Sequence, residues 1–470
     1  MIRGDLVSIR EILKSGQKYP NATVAGWVRS VRKGKSFSFI ALNDGSCQEN
    51  FQLVLDQNTT NYELLTSLLI GSSLKASGVI VASQGKGQSF EMQVKDATVY
   101  NKTTEEYPLQ KKATSLEYLR EIAHLRPRTQ TFGAVFRLRS VLSMATHEFF
   151  TNDGFYYLHT PIITGVDAEG AGEMFNVTTF DLANIPKQKN GPVDYAQDYF
   201  GKKTSLTVSG QLGGECFALG LGKVYTFGPT FRSENSNTAR HLAEFWMIEP
   251  EVAFADLDDN AELGKRYVKY LIQTALERCP RELEFLEKYR KENEGATDNL
   301  LETLNSVVTK DFTKITYTEA IAILQKSGKT FEFKHEWGDE LQTEHERYLT
   351  DQYFNGPVIV TDYPKKCKAF YMKQNDDGKT VRAMDILVPG VGEIIGGSQR
   401  EDDMEKLETR CHELNMNRQA LWWYFDLRKF GSVPHAGFGL GLERAVMYIS
   451  GMKNIRDVIP FPRTPKSAEF

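Results

Sequence analysis

The chain has 470 residues, 41% of them hydrophobic and 25% charged, the balance of a globular protein with room for about three domains. Its 57 basic side chains face 61 acidic ones, a net charge of −4, which excludes a uniformly basic binder but leaves room for a local basic face. The five cysteines, Cys47, Cys216, Cys279, Cys367 and Cys411, are scattered and odd in number, so no zinc site or disulfide framework is expected. No apolar run approaches the roughly 18 residues of a membrane span, and the N-terminus lacks an apolar signal core, so a cytoplasmic protein without membrane attachment is expected.

Residues 1–100 read as short strands. Apolar residues alternate around Val24, Gly26 and Val28, then Phe37 and Phe39, then Phe51, Leu53 and Leu55, with further runs at 74–81 and 90–94. Asn43–Ser46 and Gly85–Gly87 supply turns. Five short strands in this length suggest a small barrel of the oligonucleotide-binding (OB) type. This segment holds 11 Lys/Arg against 8 Asp/Glu, and Arg29, Arg32, Lys33 and Lys35 gather beside Phe37 and Phe39. From the residues alone the cluster is equally a solvated loop or a nucleic-acid face.

Residues 101–125 are polar and read as a linker. Val135, Leu138, Leu142, Ala145 and Phe149 then recur at spacings of three and four, an amphipathic helix ended by Asn152-Asp153-Gly154. An aromatic strand, Phe155 to His159, stops at Pro161. Residues 183–204 read as a surface insertion and 256–310 as charged helices. The pattern is α+β: a strand-rich module, then mixed helices and strands without a βαβ ladder.

Two Gly-Lys-Thr triplets, at 328–330 and 378–380, fail as phosphate loops because Ile323 and Lys373 stand where the first glycine is needed. Two other segments carry chemistry. Phe231 to Phe245 (FRSENSNTARHLAEF) is flanked by strand-like runs and reads as a hairpin with a long polar loop. Gly437-Phe438-Gly439-Leu440-Gly441-Leu442-Glu443-Arg444 is a strand open enough for a flat ring to approach its backbone. An arginine follows in the first helical turn.

These segments resemble motifs 2 (about 224–254) and 3 (about 435–449) of class II aminoacyl-tRNA synthetases. The helix, strand and Pro161 (about 132–161) resemble motif 1, the dimer element. The first hundred residues resemble the anticodon-binding OB-fold of the aspartyl, asparaginyl and lysyl subgroup. The resemblance implies an OB-fold domain at 1–100, a hinge at 101–125 and a catalytic domain at 126–470 built on an antiparallel sheet flanked by helices. It implies ATP as substrate, tRNA as partner, a homodimer and no zinc. By resemblance, Arg232 bridges the amino-acid carboxylate and the α-phosphate, Arg444 and His241 hold the γ-phosphate, and Phe245 stacks on adenine. Glu234 accepts from the adenine amino group. Asp385 and Glu393 match the family's Mg²⁺ carboxylates.

The amino acid is decided by Ser209–Glu215 (SGQLGGE) and Gly396–Arg400 (GGSQR). Aspartyl members carry a lysine where this chain has Gly214, and Glu215 follows it, as in asparaginyl members. The resemblance implies L-asparagine and tRNA(Asn), with Arg400 donating to the amide oxygen and Glu215 accepting from its NH₂. Gln211 and Glu169 would meet the α-amino group, Glu169 from a glycine-rich loop at 167–173. Aspartyl activity, an ammonia-dependent asparagine synthetase on the same catalytic fold, and a non-catalytic tRNA-binding or regulatory paralogue are the rival readings. On the barrel, Phe39 matches a base-stacking aromatic, Gln52 a base-edge reader and Arg29 a phosphate or base contact.

Overall fold

The computed structural model describes residues 5–83, 85, 88–112, 114–168, 174–236 and 238–470. It divides into two compact units, Met1–Ala134 and Val135–Phe470. The division falls within the helix Gln130–Asn152, so the polar 101–125 segment groups with the barrel.

In the first unit β1 (Asn21–Arg32), β2 (Phe37–Asn43), β3 (Phe51–Asp56), β4 (Ser73–Ala82) and β5 (Phe90–Asn101) close a barrel in the order β1-β2-β3-β5-β4. The period of two sets the inside: Ser38, Ile40 and Leu42 of β2 are buried, as are Phe51, Leu53 and Leu55 of β3. The helix Ile9–Ser15 is started by a Ser8/Glu11 capping box and buries Ile9 and Ile12 in the same core. A bulge between Val28 and Ser30 breaks the β1 alternation.

The second unit is built on β6 (Tyr156–Leu158), β10 (Lys223–Phe231), β11 (Glu244–Ala253), β12 (Thr313–Thr316), β13 (Val358–Pro364), β14 (Thr380–Val388), β15 (Gly392–Gln399) and β16 (His435–Gly441). They form one sheet in the order β12-β13-β14-β15-β16-β11-β10-β6. Its six central strands are antiparallel, and only the edge pairs β12–β13 and β10–β6 are parallel. Three short strands, β7 (Ile163–Thr164), β8 (Asn176–Val177) and β9 (Thr204–Leu206), make a second sheet in the order β7-β9-β8.

Residues 256–310 contain the helices Leu257–Arg278, Pro280–Asn293 and Leu300–Thr309. The first packs on β14, β15 and β16. It comes close enough that a Cβ on Gly264 would lie 2.7 Å from Ile386 Cδ1. The helix Gln130–Asn152 packs through its periodic apolar face. Its Phe150 is fully buried, with its ring 4.7 Å from Tyr225, 4.8 Å from Tyr267 and 5.1 Å from Phe155. Phe150→Ala would open a cavity there and cost about 3–5 kcal/mol. Urea unfolding of the second unit, followed by aromatic circular dichroism, should show that loss.

Candidate active site

The β10–β11 hairpin pairs Phe231 with Glu244, and Arg232 N donates to the Ala243 carbonyl at 3.0 Å. That joins the two ends of the hairpin beside a cavity of about 210 Å³. Arg232, Glu234, His241 and Phe245 of this hairpin line it, together with Glu393 of β15 and Arg444 of the helix Leu442–Ser450. The sequence expectation placed these six side chains on one nucleotide, and the fold brings all six to one cavity. Gly439 and Gly441 of β16 keep its floor flat.

The cations are arranged around the rim. The Arg232 guanidinium sits 5.4 Å from the Phe245 ring centre. Arg444 Nη1 donates to the Glu393 carboxylate at 3.3 Å. His241 Nδ1 pairs with Thr238 Oγ1 at 2.5 Å, and its Nε2 lies 3.9 Å from Glu234. Arg240, which sequence reasoning left unassigned, also lines the cavity and donates to Thr343 at 2.6 Å. Burial, and then the neighbouring charge of Arg444, lower its pKa from the ordinary arginine value. Three arginines around so small a space suit a polyanion.

Carboxylates gather at one side. A Cβ on Gly396 would lie 2.9 Å from Glu393 Oε1 and 3.5 Å from Asp385 Oδ1, so the absence of a side chain there leaves both acids room. Glu346, from the helix Thr343–Arg347, accepts from Glu393 N at 3.1 Å. Burial, with Glu393 and Asp385 adding to it, pushes the Glu346 carboxyl up to about 8. Burial also raises Asp385, against the opposing pull of Lys368. Lys368 donates to both Asp385 oxygens, at 3.0 and 3.2 Å. Among the described residues no three His, Cys, Asp or Glu side chains are arranged to hold a metal ion as they stand. Glu346 and Lys368 have no sequence signal, because each meets its partners from a distant element.

A second cluster lies under β11, β16 and the helix Gln211–Leu221. Glu215 is fully buried. It receives Gln211 Nε2 at 3.1 Å, Tyr424 Oη at 2.8 and 2.9 Å, Arg428 Nη2 at 2.9 Å and His435 Nε2 at 2.9 Å. Burial alone would raise its pKa, but Arg428 and His435 outweigh burial and hold the carboxyl below the usual range. Arg400 is paired through Nε and Nη2 with buried Glu251 of β11, and its Nη1 donates to Ser398 at 2.8 Å. Burial works against the Arg400 charge, yet Glu251 and Glu215 hold its pKa above the ordinary value. Gly437 makes the pair possible, since a Cβ there would collide with the Glu251 carboxylate. Glu169 lies outside the described residues.

On the barrel, Phe39 is half-buried on the outer face, paired with Arg32 and Val54. Arg32 stands 5.4 Å from the Phe39 ring centre and donates to Gln52 at 3.1 Å, and Gln52 donates to Glu91 at 3.0 Å. Arg29 is the extra residue of the β1 bulge and donates instead to the Arg128 carbonyl. The cation beside Phe39 and Gln52 is therefore Arg32 and not Arg29.

The Glu215–Arg428 pair gives a test. Glu215 has a depressed pKa, so the stability it contributes is present above the ordinary carboxyl pKa and lost as pH falls through the folded value. Arg428→Leu removes its cation and should destabilise the second unit by about 3–5 kcal/mol near pH 8. The uncompensated carboxyl then takes up a proton, so the gap to wild type should narrow towards pH 5 in urea unfolding.

Residues 115–465 match the family model for "tRNA synthetases class II (D, K and N)", and residues 22–100 match that for an OB-fold nucleic acid binding domain. A protein of Cytophaga hutchinsonii named asparagine–tRNA ligase is 57% identical over 468 residues, covering 99% of each chain. One of Acetivibrio thermocellus with the same name is 57% identical over 448 residues, 95% of each chain. The crystal structure of asparaginyl-tRNA synthetase from Pyrococcus horikoshii complexed with asparaginyl-adenylate superposes with a TM-score of 0.85 at 34% identity, covering 99% of both chains. With its arginine-lined cavity, its OB barrel and this similarity along its length, the chain belongs to the class II tRNA synthetases of the D, K and N group.

Proposed function

We infer that this chain activates L-asparagine with ATP, forming asparaginyl-adenylate and pyrophosphate, and then transfers asparagine to tRNA(Asn) with release of AMP. The observation that carries the reading is its near-full-length similarity to relatives named asparagine–tRNA ligase. The pocket residues agree with it, since Gly214 and Glu215 stand where a lysine would be needed for aspartate.

The first step is in-line attack of the asparagine carboxylate on the α-phosphorus, with pyrophosphate leaving. Both reactants are anionic, so the protein's work is positioning and neutralisation. Arg232 spans carboxylate and α-phosphate with its planar fork. Arg444 and His241 take the γ-phosphate, Phe245 stacks on adenine, and Glu234 accepts from the adenine amino group. In the second step the terminal ribose hydroxyl of tRNA attacks the acyl carbon and AMP leaves.

Arg400 donates to the asparagine amide oxygen. Glu215 already receives four donors. The neutral amide of Gln211 is the one that can turn away to let Glu215 accept the substrate NH₂. Gln211 and Glu169 then meet the α-amino group. Aspartate would add a carboxylate to a pocket whose two arginines are already paired. Like charges about 4 Å apart cost about 4 kcal/mol at an effective dielectric near 20, and this disfavours the aspartyl reading.

The carboxylates beside Gly396 fit Mg²⁺: they are hard oxygen donors, and Glu393 and Asp385 both border the space that Gly396 leaves open. Glu393 and Asp385 would hold the ion, with Lys368 releasing its share of Asp385. When bound, the ion neutralises phosphate oxygens of ATP.

On the barrel, Phe39 stacks an anticodon base, Gln52 reads a base edge and Arg32 supplies the cation. A homodimer is supported by the exposed Tyr156, Tyr157, Ile162 and Ile163 beside Pro161. The reading of a translation enzyme supports a cytoplasmic location. No helix of the described residues is long and apolar enough to cross a membrane.

Amino-acid-dependent ATP–pyrophosphate exchange should proceed with asparagine alone among the twenty amino acids, and should stop when EDTA withholds Mg²⁺. Arg232→Ala should lower the exchange rate by about 10²–10³-fold. Exchange with aspartate would overturn the specificity assignment. Sedimentation equilibrium should give twice the chain mass.

A further inference from the structure

We propose that the exposed aromatic pair Tyr199–Phe200, with Lys202 and Lys203 beside it, is the platform that receives the unpaired 3′ end of the tRNA during transfer. The inference rests on the tRNA ligase reading above and assigns a role to the insertion at 183–204.

Tyr199 is 77% exposed and Phe200 46%. Their rings meet edge to face, 4.8 Å apart. Two large rings side by side in solvent leave apolar faces that a partner can cover. The backbone beneath them is held firmly. Asp198 accepts from Tyr199 N at 2.8 Å, Thr179 N at 3.0 Å and Thr179 Oγ1 at 2.9 Å, and Gly201 N donates to the Asp198 carbonyl at 2.9 Å. A platform ordered before its partner arrives binds with little further entropic cost.

The charge points to an anion. Lys202 and Lys203 are exposed, while the Asp198 carboxylate is spent on the loop itself. Lys202 lies across Gly165, where a Cβ would sit 3.3 Å from its Cε. The position points to the acyl end. Phe200 is followed by β9 and then by Thr207, whose carbonyl accepts from Phe231 N at 2.9 Å, next to Arg232. Seven residues span at most roughly 25 Å, within reach of a short single strand whose end lies at the adenylate. Single-stranded nucleic acid is bound by aromatic faces for its bases and cations for its phosphates. A duplex offers no free base face to such a pair.

Tyr199→Ala and Phe200→Ala should each leave asparagine-dependent pyrophosphate exchange at the wild-type level and raise KM for tRNA(Asn) in aminoacylation about tenfold, as loss of one base stack implies. Tyr199→Trp should keep the wild-type KM. With a tRNA(Asn) transcript lacking its unpaired 3′ nucleotides, wild type and Tyr199→Ala should bind equally in a fluorescence titration. An unchanged KM, a binding difference that persists with the shortened transcript, or a changed sedimentation mass would each overturn the proposal. Absence of exchange in the wild-type enzyme would instead overturn the ligase reading on which it rests.

Discussion

A charge without water must have a partner, and this requirement organises the catalytic sheet. Glu215 and Glu251 are both fully buried, where an unpaired carboxylate would cost several kcal/mol. Arg428 answers the first and Arg400 the second. Satisfying these two pairs ties together β11, β15, β16 and the helices Gln211–Leu221 and Trp422–Lys429. Gly437 is part of the same solution, because any side chain there would fill the space of the Glu251 carboxylate. The glycines of β16 thus serve two ends: one admits an ion pair, and others keep a floor flat for a nucleotide.

The arginine-lined cavity follows the opposite rule. There the cations Arg232, Arg240 and Arg444 gather on one cavity, and Glu393 on its wall lies close to the carboxylates Glu346 and Asp385. Repulsion of each kind is tolerable because the missing charges arrive with the substrates. In the proposed reaction, phosphates satisfy the arginines and a divalent cation satisfies the acids. A cavity poised in this way binds its ligands as a set.

How much of this was legible in sequence depended on range. That six side chains would meet at one cavity was readable because four sit in one hairpin, and Arg444 follows a glycine strand by three residues. The ion pairs were not, because Glu215 and Arg428 are 213 positions apart and Glu251 and Arg400 149. Arg428 and Tyr424 sit on a helix that, by itself, is one more charged amphipathic helix. The barrel face shows a subtler limit. Strict alternation from buried Val28 turns Arg29 outward and Arg32 inward. The bulge between Val28 and Ser30 adds one residue and reverses the parity beyond it, so Arg32 turns outward and meets Phe39. The pairing β12–β13, with the helix Tyr317–Lys326 beside it, went unread because it contains no motif, only a core.

In the proposed function, selection of asparagine over a nearly isosteric acid would draw on the buried pairs. A single arginine facing the substrate side chain would favour aspartate. Arg400 does not face it as a free cation, because Glu251 has claimed two edges of its guanidinium. What remains is the Nη1 edge, which donates to Ser398 at 2.8 Å and is suited to a neutral carbonyl. Glu215 is kept ionised by Arg428 and His435, so it can only accept, and an incoming carboxylate offers it nothing to accept from. In that reading, discrimination comes from the sum of charges around the ligand, and not from the shape of any one contact.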